Sequence, residues 1–161
     1  MASASQQFVE RMGAALTQAG LPRVPSLVFS ALLVDDDGRM TSAELSGELD
    51  VSPASVSGAV RYLAQLGMVR RERERGSRRD VYVVDDDAWH GTMMRRDQLY
   101  APMLGALTAG LAALGENSPV HDRLLLTREF LSFVDEEMAG LAEKWEARRA
   151  EITGQGQNVR S

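Results

Sequence analysis

The sequence predicts a mainly α-helical protein that carries one small β-hairpin. Apolar residues recur every three or four positions over most of its 161 residues, as they do along the buried face of a helix. The exception lies between Met68 and Val84, where β-branched residues and a tyrosine accompany the turn-forming pair Gly76-Ser77. We therefore expect helices before and after a single hairpin.

Two helices are predicted in residues 6–34, a segment that we assign to a scaffold with a share in dimerisation. The first runs over about 6–19 and ends at Gly20. The second begins near Pro25, a residue tolerated in the first turn of a helix, and runs to about Val34.

An acidic turn, Asp35-Asp36-Asp37-Gly38, follows these helices. Three acids beside a glycine also occur in calcium-binding EF-hand loops, which need a glutamate in the twelfth place. Counted from Asp35, that place holds Ser46. The sequence therefore favours a solvated turn over a calcium site.

Two short helices are predicted in the first half of the next region, 35–86. Thr41 and Glu44 have the spacing of a capping box, which marks the start of the first helix. Ser52, followed by proline, is typical of the cap that opens the second. Gly67 is expected to end that helix in the left-handed conformation.

The second of these helices has two chemically different faces. Val56, Val60, Leu63 and Leu66 form its apolar face. The opposite face consists of Ser52, Pro53, Ala54, Ser55, Ser57, Gly58, Arg61 and Tyr62. A helix fits the major groove of DNA, and short side chains allow its backbone to approach the bases. The serines are candidates for phosphate contacts, and Arg61 is a candidate for a guanine or phosphate contact.

The hairpin is basic in an otherwise acidic chain. Residues 51–82 contain seven arginines and three acids, whereas the whole chain has a net charge of −5. Positive charge gathered in one region is typical of a surface that meets a polyanion. Helix, turn, helix and basic hairpin in this order predict a winged helix-turn-helix that binds double-stranded DNA.

The tip of the hairpin carries four predicted DNA-binding residues: Arg75, Ser77, Arg78 and Arg79. Of these, Arg78 and Arg79 are expected to reach the minor groove or its phosphates. Asp80 is predicted to position the wing by pairing with Arg78 or Arg79.

Two long helices are predicted in residues 87–150, and residues 151–161 are expected to be a disordered tail. The apolar stripes of these helices have the 3.5-residue period of helices packed lengthwise, and they exceed what one short helical hairpin covers. We therefore expect long N- and C-terminal helices to form a homodimer. The predicted interface residues are Phe8, Met12, Leu107, Leu111, Leu114, Leu131, Val134, Met138, Leu141 and Trp145.

A small group of methionines and aromatic residues follows the hairpin. It contains Trp89, Met93, Met94, Tyr100 and Met103. Such residues line pockets for apolar small molecules, and they also build ordinary protein core. The sequence is compatible with both a ligand pocket and ordinary core.

Several function classes find no support in the sequence. There is no glycine-rich phosphate loop, His-Glu-x-x-His motif or serine nucleophile elbow, so we do not expect an enzyme. There is no cysteine, and His90 and His121 are far apart, so no metal or other cofactor is expected. The absence of a membrane-spanning run and of a secretory pattern at the start favours a cytoplasmic protein.

The residues from 44 to 84, ELSGELDVSPASVSGAVRYLAQLGMVRRERERGSRRDVYVV, resemble the winged helix-turn-helix of the MarR family of bacterial regulators, in particular its GbsR-like branch. The likeness in element order spans about 8–150, and its specific motifs lie within 41–84. The resemblance implies a homodimer on a pseudo-palindromic operator, and repression that a small ligand often relieves. The family's wing often carries Asp-x-Arg, whereas here the order is Ser77-Arg78-Arg79-Asp80, so which arginine enters the groove stays open.

A second interpretation is a winged helix that contacts another protein and has no operator preference. The two differ in salt dependence, because binding through several phosphates weakens steeply as salt rises and favours one DNA sequence.

Overall fold

Helices and a small antiparallel sheet make up the part of the chain that the computed structural model describes, residues 3–73, 79–85, 88–89 and 96–158. The chain divides into two compact units, Met1–Thr92 and Met93–Ser161. The first unit contains α1 (Ala4–Gln18), α2 (Arg23–Val34), β1 (Arg39–Thr41), α3 (Ser42–Leu49), α4 (Pro53–Leu66), β2 (Arg70–Arg73) and β3 (Asp80–Val83). The second contains α5 (Arg96–Leu114) and α6 (His121–Asn158). The predicted fold class is confirmed.

The first helix begins two residues earlier than the sequence predicts. The Ser3 hydroxyl oxygen accepts a hydrogen bond from the Gln6 N–H, and the Gln6 side-chain oxygen accepts one from the Ser3 N–H. The two residues therefore form a capping box. Further along, α1 crosses α2 at the buried Gly13. A Cβ at this position would lie 2.7 Å from Leu27 Cδ2, so a larger residue there would require the Leu27 side chain to shift.

The core of the first unit forms where α2, α3 and α4 meet. Phe29, Leu32, Leu45 and Leu63 are its largest fully buried side chains. The predicted caps place these helices. Thr41 and Glu44 form the capping box, Ser52 caps α4, and Gly67 ends α4 at φ 72°. Local sequence signals therefore set where α3 and α4 begin and where α4 ends.

The sheet has three strands, in the order β1-β3-β2, whereas the sequence predicts only the two strands of the hairpin. The three-residue strand β1 is too short to show an alternating pattern, and it pairs with β3 along its length. The strand β2 begins two residues later than predicted. Met68 and Val69 are buried in the core, and the Met68 N–H donates to the Leu63 carbonyl to close α4, so pairing starts at Arg70.

The second unit is a pair of helices, and its last helix corrects one prediction. The sequence predicts a disordered tail over 151–161, but α6 continues to Asn158. Arg148 pairs with Glu151 at 3.0 Å, and the Thr153 hydroxyl donates to the Arg149 carbonyl at 2.9 Å. A glycine in a helix costs only about 1 kcal/mol, so Gly154 does not end this one.

The predicted dimer residues differ in exposure in the single chain. Leu111 is buried, whereas Leu114 and Leu141 are half exposed. On α6, three further apolar residues that are more exposed than Leu141 follow one another at helical spacing: Leu126, Phe130 and Phe133. Large apolar side chains that stay this exposed are typical of a surface with a partner.

Candidate nucleic-acid interface

The predicted reading face of α4 points to solvent. Ser52, Pro53, Ala54, Ser55, Ser57, Gly58 and Arg61 are exposed, and Tyr62 is half-buried. The opposite face holds the helix on the core through Val56, Ala59, Val60 and Leu63. Every side chain on the exposed face before Arg61 is small, so another molecule can approach the helix backbone closely.

The start of α4 presents hydrogen-bond donors. Ser52 Oγ accepts from the Ser55 N–H at 3.1 Å, and the two hydroxyl oxygens lie 2.8 Å apart. That pair uses one hydroxyl hydrogen, so the other remains available to a phosphate oxygen. The first N–H groups of a helix also carry partial positive charge, which favours an anion at this end.

Arg61 lies one helical turn or more beyond these serines. It is exposed and has no ion pair or hydrogen bond to another part of the chain that the structure describes. A guanidinium that is not paired with a carboxylate can offer two parallel donors to a guanine edge or to a phosphate.

Gly58 has no steric reason to be a glycine within the described part of the chain, because a Cβ there would meet nothing within 4 Å. Gly58→Ala is therefore expected to raise the free energy of unfolding by about 0.5–1 kcal/mol, measured by urea denaturation. It should also weaken DNA binding if the backbone of α4 approaches the bases.

The matched control is Gly47→Ala on α3, where a Cβ is equally unobstructed. It should stabilise the unit by a similar amount and leave DNA binding unchanged. Equal DNA affinity for both variants would contradict the assignment of Gly58 to the reading face.

The ion pair that Asp80 forms in the wing differs from the predicted one. The Asp80 carboxylate pairs with Arg71 on β2, where the sequence predicts Arg78 or Arg79. The hydrogen bond to Arg71 is the main reason that the pKa of Asp80 is lowered, and the same bond raises the pKa of Arg71. Because the pKa of Asp80 is depressed in the folded chain, the pair is intact at neutral pH and is lost only as the pH falls through that lowered pKa.

The predicted wing tip lies mostly outside the described residues, which include Arg79 but not Arg75, Ser77 or Arg78. Arg79 is exposed and lines an open concavity of about 440 Å³ together with Thr41, Ser42 and Tyr82. Two hydrogen bonds from Thr41 are the main causes of a lowered pKa at Glu44, and the charge of Arg79 contributes less. The base of the wing therefore faces the start of α3, a proximity that the sequence does not reveal.

The residues predicted to line a ligand pocket fall in both units. The Trp89 ring packs edge-on against the buried Phe29, with ring centroids 5.4 Å apart and planes at 88°. Trp89 therefore contacts the core through this ring pair, and with 36% of its surface exposed it lies at the edge of the core. Tyr100 and Met103 lie on α5 of the second unit, and Met93 and Met94 lie outside the described residues.

The acidic turn has a structural use. Asp35 Oδ1 accepts from the N–H groups of Asp37 and Arg39, at 3.2 and 2.9 Å. In the part of the chain that the structure describes, no group of three or more acidic, histidine or cysteine residues could hold a metal ion.

Two models of one protein family match neighbouring segments of the chain. A MarR family model matches residues 19–80, and an MmpR5-like MarR family transcriptional regulator model matches residues 87–148. The chain belongs to the MarR family. Proteins of this family are winged-helix transcriptional regulators that bind DNA and are not enzymes.

Individual relatives extend over most of the chain. YvaV of Bacillus subtilis (strain 168), a provisionally assigned HTH-type transcriptional regulator, is 26% identical over 141 residues, which are 88% of this chain and 72% of YvaV. The crystal structure of a transcriptional regulator matches with a TM-score of 0.79 and 27% identity over 90% of this chain and 99% of that one. Within the described residues, no helix has the length and apolar character needed to cross a membrane.

Proposed function

We propose that this MarR family protein binds a pseudo-palindromic DNA operator as a homodimer and represses transcription there. The observation that carries the proposal is the exposed face of α4, where small side chains precede an arginine without a partner among the described residues. In this proposal α4 enters the major groove, and the wing, whose described residues include Arg79, reaches the adjacent minor groove or its phosphates.

The exposed apolar residues support the dimer. Phe8 on α1 is 40% exposed, and Phe130 and Phe133 on α6 are 61% and 59% exposed. Fully burying an exposed phenylalanine contributes roughly 1.5–3 kcal/mol, and each of these rings would gain the share of that energy that corresponds to its exposed part. A two-fold axis would place two copies of α4 about 34–36 Å apart, one turn of DNA.

Release by a small apolar ligand, membership of the GbsR-like branch and a cytoplasmic location belong to the same proposal. The ligand rests on the methionine and aromatic residues after the hairpin, and the branch rests on the sequence likeness within 41–84. The location follows from the operator, because bacterial chromosomal DNA lies in the cytoplasm.

Selection from a random duplex library tests the operator. The purified protein is incubated with the library, bound duplexes are sequenced, and the winning site is measured against salt. We expect a palindrome with half-sites about ten base pairs apart and an affinity that falls steeply as salt rises.

If no sequence is enriched and binding is weak at every salt concentration, the operator proposal fails. A winged helix that contacts another protein would then be the better account of the basic hairpin.

A further inference from the structure

Charged side chains extend across the outer face of the small sheet. Arg39 on β1 and Arg70 on β2 both lie opposite Val83 of the central strand β3, and Glu72 on β2 lies opposite Val81. Directly paired residues place their side chains on the same face of a sheet. The two arginines and the glutamate therefore share one face with the two valines.

Glu72 links the two edge strands through its carboxylate. Its Oε2 lies 2.8 Å from Arg39 Nη2, and its Oε1 pairs with Arg70 Nη1. The Arg70 Nε–H donates in turn to both carboxylate oxygens of Asp85, at 2.9 and 3.2 Å. We call these four residues the clasp. It joins β1, β2 and the segment that leaves β3.

The clasp shares its face of the sheet with two apolar side chains. Val81 and Val83 are 8% and 4% exposed, yet among the described residues neither belongs to the main core cluster, which takes Met40 and Tyr82 from the opposite face. Long charged side chains cover apolar surface with their stems while their charged ends stay in water. Exposed ion pairs are weak singly, but here the pairs share partners and also shield two valines.

From this geometry we propose that Glu72 is a positioning residue for DNA binding by the wing, an inference that rests on the proposed function. Glu72 makes no contact with DNA in this account. It holds the edge strand β2 to β1 through Arg39, and it also pairs with Arg70, the arginine that binds Asp85. A fixed β2 would hold the wing, including Arg79 at its base, in one position relative to the DNA.

The direction in which DNA affinity changes when the charge of Glu72 is removed distinguishes a positioning role from simple electrostatic repulsion. An acid near a polyanion repels it, so removing the charge of Glu72 should tighten DNA binding if the charge alone matters. If Glu72 holds the wing in place, the same change should weaken binding, because the wing loses its fixed position.

Glu72→Gln tests the inference, with Glu48→Gln as the matched control. Glu48 is an exposed acid on α3 that has no ion pair within the described residues. Each variant is titrated with a duplex carrying the site that the wild-type protein selects. Amide hydrogen exchange of β2 is followed without DNA, so the second readout does not depend on the proposed function.

We expect Glu72→Gln to bind about two- to fivefold more weakly, the scale of a surface ion-pair network, and its β2 amides to exchange faster. Glu48→Gln should match the wild type in exchange and bind at least as tightly. Either of two results would overturn the inference. The first is that Glu72→Gln binds DNA as tightly as the wild type or more tightly, and the second is that its β2 amides exchange at the wild-type rate. If the wild type selects no site, the operator proposal fails, and unchanged exchange would still refute the clasp separately.

Discussion

Leu141→Glu is expected to convert the proposed dimer into a monomer and to weaken operator binding by about 10²–10⁴-fold. Leu141 is 50% exposed in the single chain and belongs to the apolar surface of α6. In a dimer interface, the new carboxylate would lose its water without gaining a partner, which is costly. A monomer then holds only one half-site. Mass measured by analytical ultracentrifugation and affinity measured by titration check the two effects.

Ala147→Glu is the control for added charge. Ala147 is also exposed on α6 but lies on a different face from Leu141, since six residues turn a helix by about 600°. This variant should keep the mass and the affinity of the wild type. A Leu141→Glu protein with the wild-type mass would place the interface elsewhere.

Arg61→Ala is expected to lose about 1–3 kcal/mol of operator affinity and to accept a wider range of bases at one position of each half-site. Arg61 is exposed and has no partner within the described residues, so its removal costs the fold little. Site selection repeated with the variant measures the base preference, and titration measures the affinity.

Two further variants locate the origin of that effect. Arg61→Lys keeps the charge but loses the two parallel donors, so it should keep the salt dependence while losing base preference. Arg23→Ala removes an exposed arginine from α2 and should change neither. If Arg61→Ala selected the wild-type site with wild-type affinity, Arg61 would not be a base contact.

The parts of the fold that could be predicted from the sequence are those with local causes. The caps at Thr41 and Ser52 and the stop at Gly67 depend on residues within one helical turn, and the structure places all three as predicted. The apolar and exposed faces of α4 likewise follow from helical spacing alone.

The features that the sequence did not reveal depend on contacts between residues far apart in the chain. Asp80 pairs with Arg71, its diagonal neighbour in the hairpin, whereas Arg73 lies directly opposite it, and nothing in the order of residues prefers Arg71 to Arg78. Trp89 contacts Phe29 across 60 positions, a proximity that only the packing of the folded chain creates. The sequence does not predict the full length of α6, because glycine lowers helix propensity without forbidding a helix.

Sequence preference in DNA binding by this MarR family protein is tested most directly by comparing two dissociation constants, one for the selected site and one for a scrambled duplex of the same composition, between about 50 and 200 mM salt. We expect the selected site to bind at least about 10³-fold more tightly near physiological salt, and both affinities to fall as salt rises. Equal affinity for the two duplexes throughout that range would contradict sequence-specific binding.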